Sequence, residues 1–338
     1  MLPCPASMTR KGEGSVPASD DQHPPFAALP VLGETGEHHT WDVFGRSDEF
    51  GCLNFISERS IVAAAREVRL GRVVNLNLRL NEPQPQFWTD RQPLVHRHTG
   101  SRNTRDDVLE HFALQGSTQW DGLRHQRYRE YGWYGGRQEP EVDSGTELSI
   151  HRWAERGIVG RGVLADVAAW MASRGEPIAP DRRFVIGASL LSAVLADQRT
   201  DLHGGDIVLV RTGWLGWYQS MTVVERTAVS DRLNADRRAA QVPGIDPGQE
   251  TAAWLWDRRV AALALDNPTA DALPYVPDEG WAHNRLIPLL GLPLGELWWL
   301  DELARICAQQ QRFSFLLTSA PLNLPGAAGS PANAYAVL

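Results

Sequence analysis

Residues 204–214 read Gly-Gly-Asp-Ile-Val-Leu-Val-Arg-Thr-Gly-Trp. A Gly-Asp turn opens an unbroken apolar run, Ile207 to Val210, and Arg-Thr-Gly closes it. A strand with no polar face is covered on both sides, so it belongs in a sheet between two layers. Val260-Ala261-Ala262-Leu263-Ala264-Leu265 repeats the pattern and ends in the polar tip Asp266-Asn267-Pro268. Residues 160–167 give a third such strand after a glycine turn. Helical patterns lie between and beside these runs, over 167–174, over 186–197 and through Trp256. This order predicts an α/β fold, with α/β units around a mixed sheet.

The rest of the chain fits around that centre. Ser57 is placed to cap a helix that stops at Gly71. Residues 73–80 alternate as a strand does, residues 218–243 read as a polar, mostly helical insertion, and 297–309 and 313–318 as a closing helix and strand. Residues 1–25 are rich in Pro, Ser, Gly and charge and are expected to be a disordered tail. Residues 26–338 are expected to form a single domain; 338 residues with 43% hydrophobic suffice for a large core. The net charge of −8 leaves no basic footprint for nucleic acid or an anionic membrane. No apolar run reaches the ~18–20 residues needed to span a bilayer. Three scattered cysteines, Cys4, Cys52 and Cys307, are neither a disulfide framework nor a zinc site, which points to a reducing, cytoplasmic setting.

The densest polar stretch is Gln115-Gly116-Ser117-Thr118-Gln119-Trp120-Asp121-Gly122-Leu123-Arg124-His125. As one strand over 107–121, it puts His111, Gln115, Gln119 and Asp121 on one face and Trp120 on the other. Gly122 then lets His125 swing back toward Asp121. A carboxylate, two carboxamides and an imidazole so gathered can hold a metal or activate a water; a solvent-facing edge strand explains the same residues. Two further segments stand beside it. Residues 81–106 form a long loop whose His96 and His98 either flank a site entrance or are simply solvated. Residues 126–147, rich in Tyr, Gly and charge, read as a lid or an oligomer contact.

The stretch resembles the signature of the cyclase family of metal-dependent hydrolases, which includes kynurenine formamidase and isatin hydrolase. That signature runs His-x-Gly-Thr-His-x-Asp, then x-x-x-His. Here Gln115 and Gln119 stand at its two histidines and Ser117 at its glycine, while Asp121 and His125 keep their spacing. Gly-Asp-Ile-x-Leu-x-Arg-Thr-Gly at 205–213 and Pro-Leu-x-Leu-Pro-Gly…Gly-Ser-Pro at 321–331 are similar to other family phrases. The resemblance implies a swivelling β/β/α fold, a mixed sheet with a barrel-like part and flanking helices, assembled as a homodimer or homotetramer.

It also implies a site. His283 followed by Glu296 matches the family's later metal ligands, so Asp121, His283 and Glu296, with Gln119 as a neutral oxygen, would hold one divalent cation. Carboxamides are weaker ligands than imidazoles, which favours a single Zn²⁺ or Mn²⁺ over a two-zinc site; a metal-free site stays open. His125 would be the general acid/base, with Trp41, Gln115 and Arg211 toward a small-molecule substrate. For Arg211 the alternative is a structural acid partner. The implied reaction is hydrolysis of a C–N bond in a formamide or cyclic amide, or of a related lactone, by a metal-activated water. Two other readings are a cyclase or lyase using the same histidine and a catalytically silent binder.

Overall fold

The computed structural model describes residues 23–88, 90–236 and 240–338. In chain order its strands are β1 (Val73–Asn75), β2 (Val95–Thr99), β3 (Asp106–Glu110), β4 (Gln119–Asp121), β5 (Ile158–Asp166), β6 (Val185–Ile186), β7 (Ile207–Arg211), β8 (Gly244–Ile245), β9 (Ala262–Leu265), β10 (Leu294–Glu296), β11 (Ser314–Ser319), β12 (Gly329–Pro331) and β13 (Ala334–Val337). Nine of them make one sheet in the order β1-β13-β11-β5-β7-β9-β10-β4-β12. It curls into a half-barrel with helices at its flanks, as the resemblance implied.

The centre of the sheet, β5-β7-β9-β10, is parallel, and the strands outside it are antiparallel. The apolar runs lie where their composition requires. Ile207 to Val210 and Ala262 to Leu265 are all wholly buried. Helices Val167–Ser173, Ala188–Asp197 and Gln249–Asp257 contribute Val167, Leu191, Val194 and Leu255 to the same core. Ser57 caps the helix Glu58–Ala65 through a capping box with Ser60. Asp166, at the end of β5, caps the next helix by accepting from the Ala169 amide at 3.0 Å.

Three segments differ from their sequence patterns. The strand expected over 73–80 pairs only as far as Asn75, after which Asn75 and Asn77 bond each other and the backbone. The loop expected over 81–106 contains β2, which pairs with β3 in a separate two-stranded hairpin. The single strand expected over 107–121 is therefore two short ones, β3 and β4, in different sheets with an irregular connection. The pattern missed this because β3, Asp106-Asp107-Val108-Leu109-Glu110, is an exposed ribbon with no core face to impose a register.

Up to residue 22 the expected disordered tail lies outside the described residues. Its last three residues dock on the domain: the Trp256 indole donates to the Pro24 carbonyl at 2.8 Å, and the His23 ring sits 5.2 Å from Phe44 and Phe55. Among the described residues no helix is long and apolar enough to cross a membrane.

Candidate active site

The site grows from the antiparallel pair β4–β10. Its register sets Gln119 opposite Glu296 and Asp121 opposite Leu294. Alternation then gives Gln119, Asp121 and Glu296 one face. Trp120 takes the other, 4.7 Å from the Trp298 ring in an edge-to-face contact, with its indole donating to Ser319 Oγ at 2.9 Å. Beyond β4, β12 pairs along the same three residues. Gly329 there leaves room for Gln115, since a Cβ at that position would lie 2.6 Å from Gln115 Cδ.

Asp121 is the hub. It is 1% exposed. Gln115 Nε2 donates to its Oδ1, His125 Nδ1 lies 3.8 Å from the same oxygen, and His283 Nε2 lies 3.5 Å from Oδ2. Burial alone would raise its pKa, but His125 and His283 outweigh it and hold the carboxyl at about 2. Gln115 also lies 2.8 Å from His125 Nδ1, so its amide bridges Asp121 and His125.

His283 sits on the short helix Ala282–Leu286 and is buried. Its Nε2 approaches Asp121 and, at 3.2 Å, Glu296 Oε1. Its Nδ1 bonds Asp271, whose other oxygen accepts from the Ala282 amide. Burial disfavours the imidazolium, yet Asp271 foremost, with Asp121 and Glu296, raises its pKa well above the ordinary value. Asp271 was not singled out in the sequence. It lies twelve residues before His283, in a buried segment after Pro268, and only the fold turns it onto the imidazole.

Glu296, an acid inside an apolar run, has its burial compensated by protein donors. Gln119 Nε2 donates to Oε2 at 2.7 Å and the Ala270 amide to Oε1 at 3.0 Å. Burial and the nearby Asp121 charge still raise its pKa. Gln119 Oε1 is buried with no hydrogen-bond partner.

The fold thus gathers five sequence candidates, Gln115, Gln119, Asp121, His283 and Glu296, with His125 at 30% side-chain exposure. Single ligand atoms of Asp121, His125 and His283 all lie within 4.8 Å of one another. Two imidazoles and a carboxylate suit Zn²⁺ or Mn²⁺, and Gln119, on the same strand face as Asp121, has an orphaned neutral oxygen, Oε1, so the residues fit one divalent cation. The trio takes in His125, expected as the acid/base, and omits Glu296, expected as a ligand.

Two other candidates make their contacts elsewhere. Trp41 donates through Nε1 to the Pro288 carbonyl at 2.6 Å and packs on Gly136 and His39, beside the segment that carries His283. Arg211 bridges Asp301 at 2.6 Å and Asp166 at 3.0 Å. Removing it leaves buried Asp166 and partly buried Asp301 without their shared cation. Arg211→Ala is expected to lower stability by roughly 2–4 kcal/mol, read as a shifted urea midpoint with an unchanged slope. Asp266, at the polar tip of β9, accepts from Thr212 N, Thr212 Oγ1 and Gly213 N, and burial pushes its pKa up to about 6.

Comparison with known proteins places this architecture. A crystal structure described as a novel cyclase is 32% identical, covering 89% of this chain and 97% of its own, with a TM-score of 0.77. An isatin hydrolase bound to the product analogue thioisatinate is 18% identical, covering 84% and 99%, with a TM-score of 0.56. Isatin hydrolase A from Labrenzia aggregata, bound to benzyl benzoate, is 18% identical, covering 82% and 97%, with a TM-score of 0.55. No curated protein matches. Residues 74–272 match the Cyclase family model, and with the 32% identical structure aligned over most of both chains, this protein belongs to the Cyclase family.

Proposed function

We propose that this protein is a hydrolase that opens the C–N bond of a formamide or cyclic amide, or the acyl C–O bond of a related lactone. The observation that carries the reading is the buried Asp121 between two imidazoles, one of them anchored by a second buried carboxylate, Asp271. The likeness to isatin hydrolases in fold supports it. A divalent cation held by Asp121 and His283, with Gln119 on the same strand face as Asp121, would supply Lewis acidity toward the substrate carbonyl and make water more acidic.

The protein's own groups do the rest. Asp121 is held ionised by its neighbours and gives the site a fixed negative charge. Asp271 fixes the His283 ring through Nδ1 and leaves Nε2 toward Asp121. His125, the most exposed of the group, takes the proton of the attacking water and returns it to the leaving nitrogen or oxygen. Water adds to the acyl carbon, and the C–N or C–O bond breaks.

Elemental analysis of the purified protein tests the site. About one metal per chain is expected at this site in the wild type, so metal content should fall by about one per chain in Asp121→Ala. His125→Ala separates two roles: metal kept with turnover lost marks it as the acid/base, and metal lost marks it as a ligand. A second reading is favoured by the Gln115 amide, which already bridges Asp121 and His125. Here the site works without metal, with His125 as base and the carboxamides as donors to an oxyanion. A metal-free wild type that turns over amides or lactones would select it.

A further inference from the structure

The β2–β3 hairpin stands apart from the nine-stranded sheet, and the site above uses none of its residues. His96 and His98 are two apart on β2, so their side chains share a face. The register pairs His96 with Leu109 and His98 with Asp107, which brings Asp107 to that same face. There the three converge. His96 Nε2 lies 2.5 Å and His98 Nδ1 3.1 Å from one oxygen, Asp107 Oδ1. The two rings are 4.7 Å apart, edge to face. One ligand atom from each of the three residues lies within 4.8 Å of the others.

The convergence is not a by-product of core packing. The three side chains are 48%, 67% and 60% exposed, and exposed ion pairs add only about 0–1 kcal/mol to folding. Two imidazoles and a carboxylate, each presenting one donor atom to a common point, form a donor set that suits borderline divalent cations.

We propose that this hairpin carries a second metal site, binding one Zn²⁺, Cu²⁺ or Ni²⁺ ion through His96, His98 and Asp107. Three protein donors would leave the remaining coordination positions to water or an added donor. The site is separate from the Asp121 cluster and does not rest on the proposed hydrolysis. Its effect would be local. A two-stranded ribbon is marginal by itself, and a cation that binds only the paired strands shifts the ribbon toward its folded form by mass action. The ion would act as a clip across β2 and β3.

The test uses the full chain, stripped of metal and titrated with Zn²⁺ by calorimetry. Four proteins are compared: wild type, Asp121→Ala, Asp107→Asn, and the double variant His96→Ala/His98→Ala. In Asp121→Ala one zinc site is expected to remain. In the double variant that site is lost, and in Asp107→Asn its Kd rises by at least about tenfold. Hydrogen exchange over 95–110 slows with zinc in wild type and Asp121→Ala, and does not change in the double variant. Because the hairpin side chains are exposed, their variants keep the fold, and matching circular dichroism checks all four proteins. The proposal is overturned if the double variant binds zinc as the wild type does, or if Asp121→Ala binds none.

Discussion

Asp121→Asn is expected to remove the metal of the Asp121 cluster and to lower kcat/KM on amide or lactone substrates by at least about 10³-fold, about 4 kcal/mol of transition-state stabilisation. The change keeps the shape of the side chain and removes its charge. Gln115, His125 and His283 all gather on that one carboxylate, so a neutral amide there weakens three contacts together. Asn also has one acceptor oxygen where Asp has two, and the Gln115 and His283 contacts use different oxygens. Asp271→Asn is the graded comparison. Asp271 acts through His283, and loss of such a partner costs about 10–100-fold in metal affinity or activity. Metal content by elemental analysis, read beside kinetics on an amide and lactone panel, checks both. Full metal content and full turnover in Asp121→Asn would remove Asp121 from the centre of the site.

The buried strands were the most legible part of the chain. β7 and β9 are continuous apolar runs, and such runs have few places to go other than the middle of a sheet. The hairpin and β4 were not separable from the pattern. Residues 107–121 alternate well enough to read as one strand, but alternation fixes a register only where one face is buried. The β3 half has no such face, and the chain leaves it before Gln115. Gln115 still reaches Asp121, because the irregular connection brings it over Gly329 on the neighbouring strand. The shared strand face thus put Gln115 beside Asp121 by a route the fold does not take, and it also included His111, which is exposed in the structure.

The site divides in the same way. Asp121 and His125 are four residues apart, and their proximity follows from a local turn in which the His125 amide donates to the Gly122 carbonyl. The family resemblance supplied His283 and Glu296. Asp271 had neither signal. Its link to His283 is made by a folded segment, and Asp266, at the tip of β9, is the more conspicuous acid in the sequence. Asp266 instead secures the turn after β7 through three donors. An acid at a strand end and an acid in the following segment look alike in sequence. Which one faces the imidazole is decided by tertiary packing.

The second large effect is expected at Gly295, between Leu294 and Glu296 on β10. Its backbone needs no special conformation; what it lacks is space. A Cβ there would lie 2.5 Å from the Ala264 Cβ and 2.5 Å from Trp298 Nε1. Neither neighbour yields easily. Ala264 is in the centre of the sheet, and Trp298 is wholly buried, packed on Trp120 and donating to the Gln119 carbonyl at 3.0 Å. Gly295→Ala is therefore expected at the upper end of overpacking costs, about 3 kcal/mol, with Tm lower by roughly 4–6 °C for a chain of this size. The damage should also reach the site. Pushing the indole away disturbs the backbone of Gln119, and with it the register that sets Gln119 against Glu296. Metal affinity should fall along with stability. Gly145→Ala is the control, since its added Cβ meets only the Glu141 carbonyl at 3.7 Å, and a change within about 0.5 kcal/mol is expected. Trp298→Phe removes the clashing nitrogen. Combined with Gly295→Ala, it should destabilise by less than the sum of the two single changes. Strict additivity in that cycle, or a wild-type Tm for Gly295→Ala, would show that the indole does not press on the strand and that the site's register is held by something else.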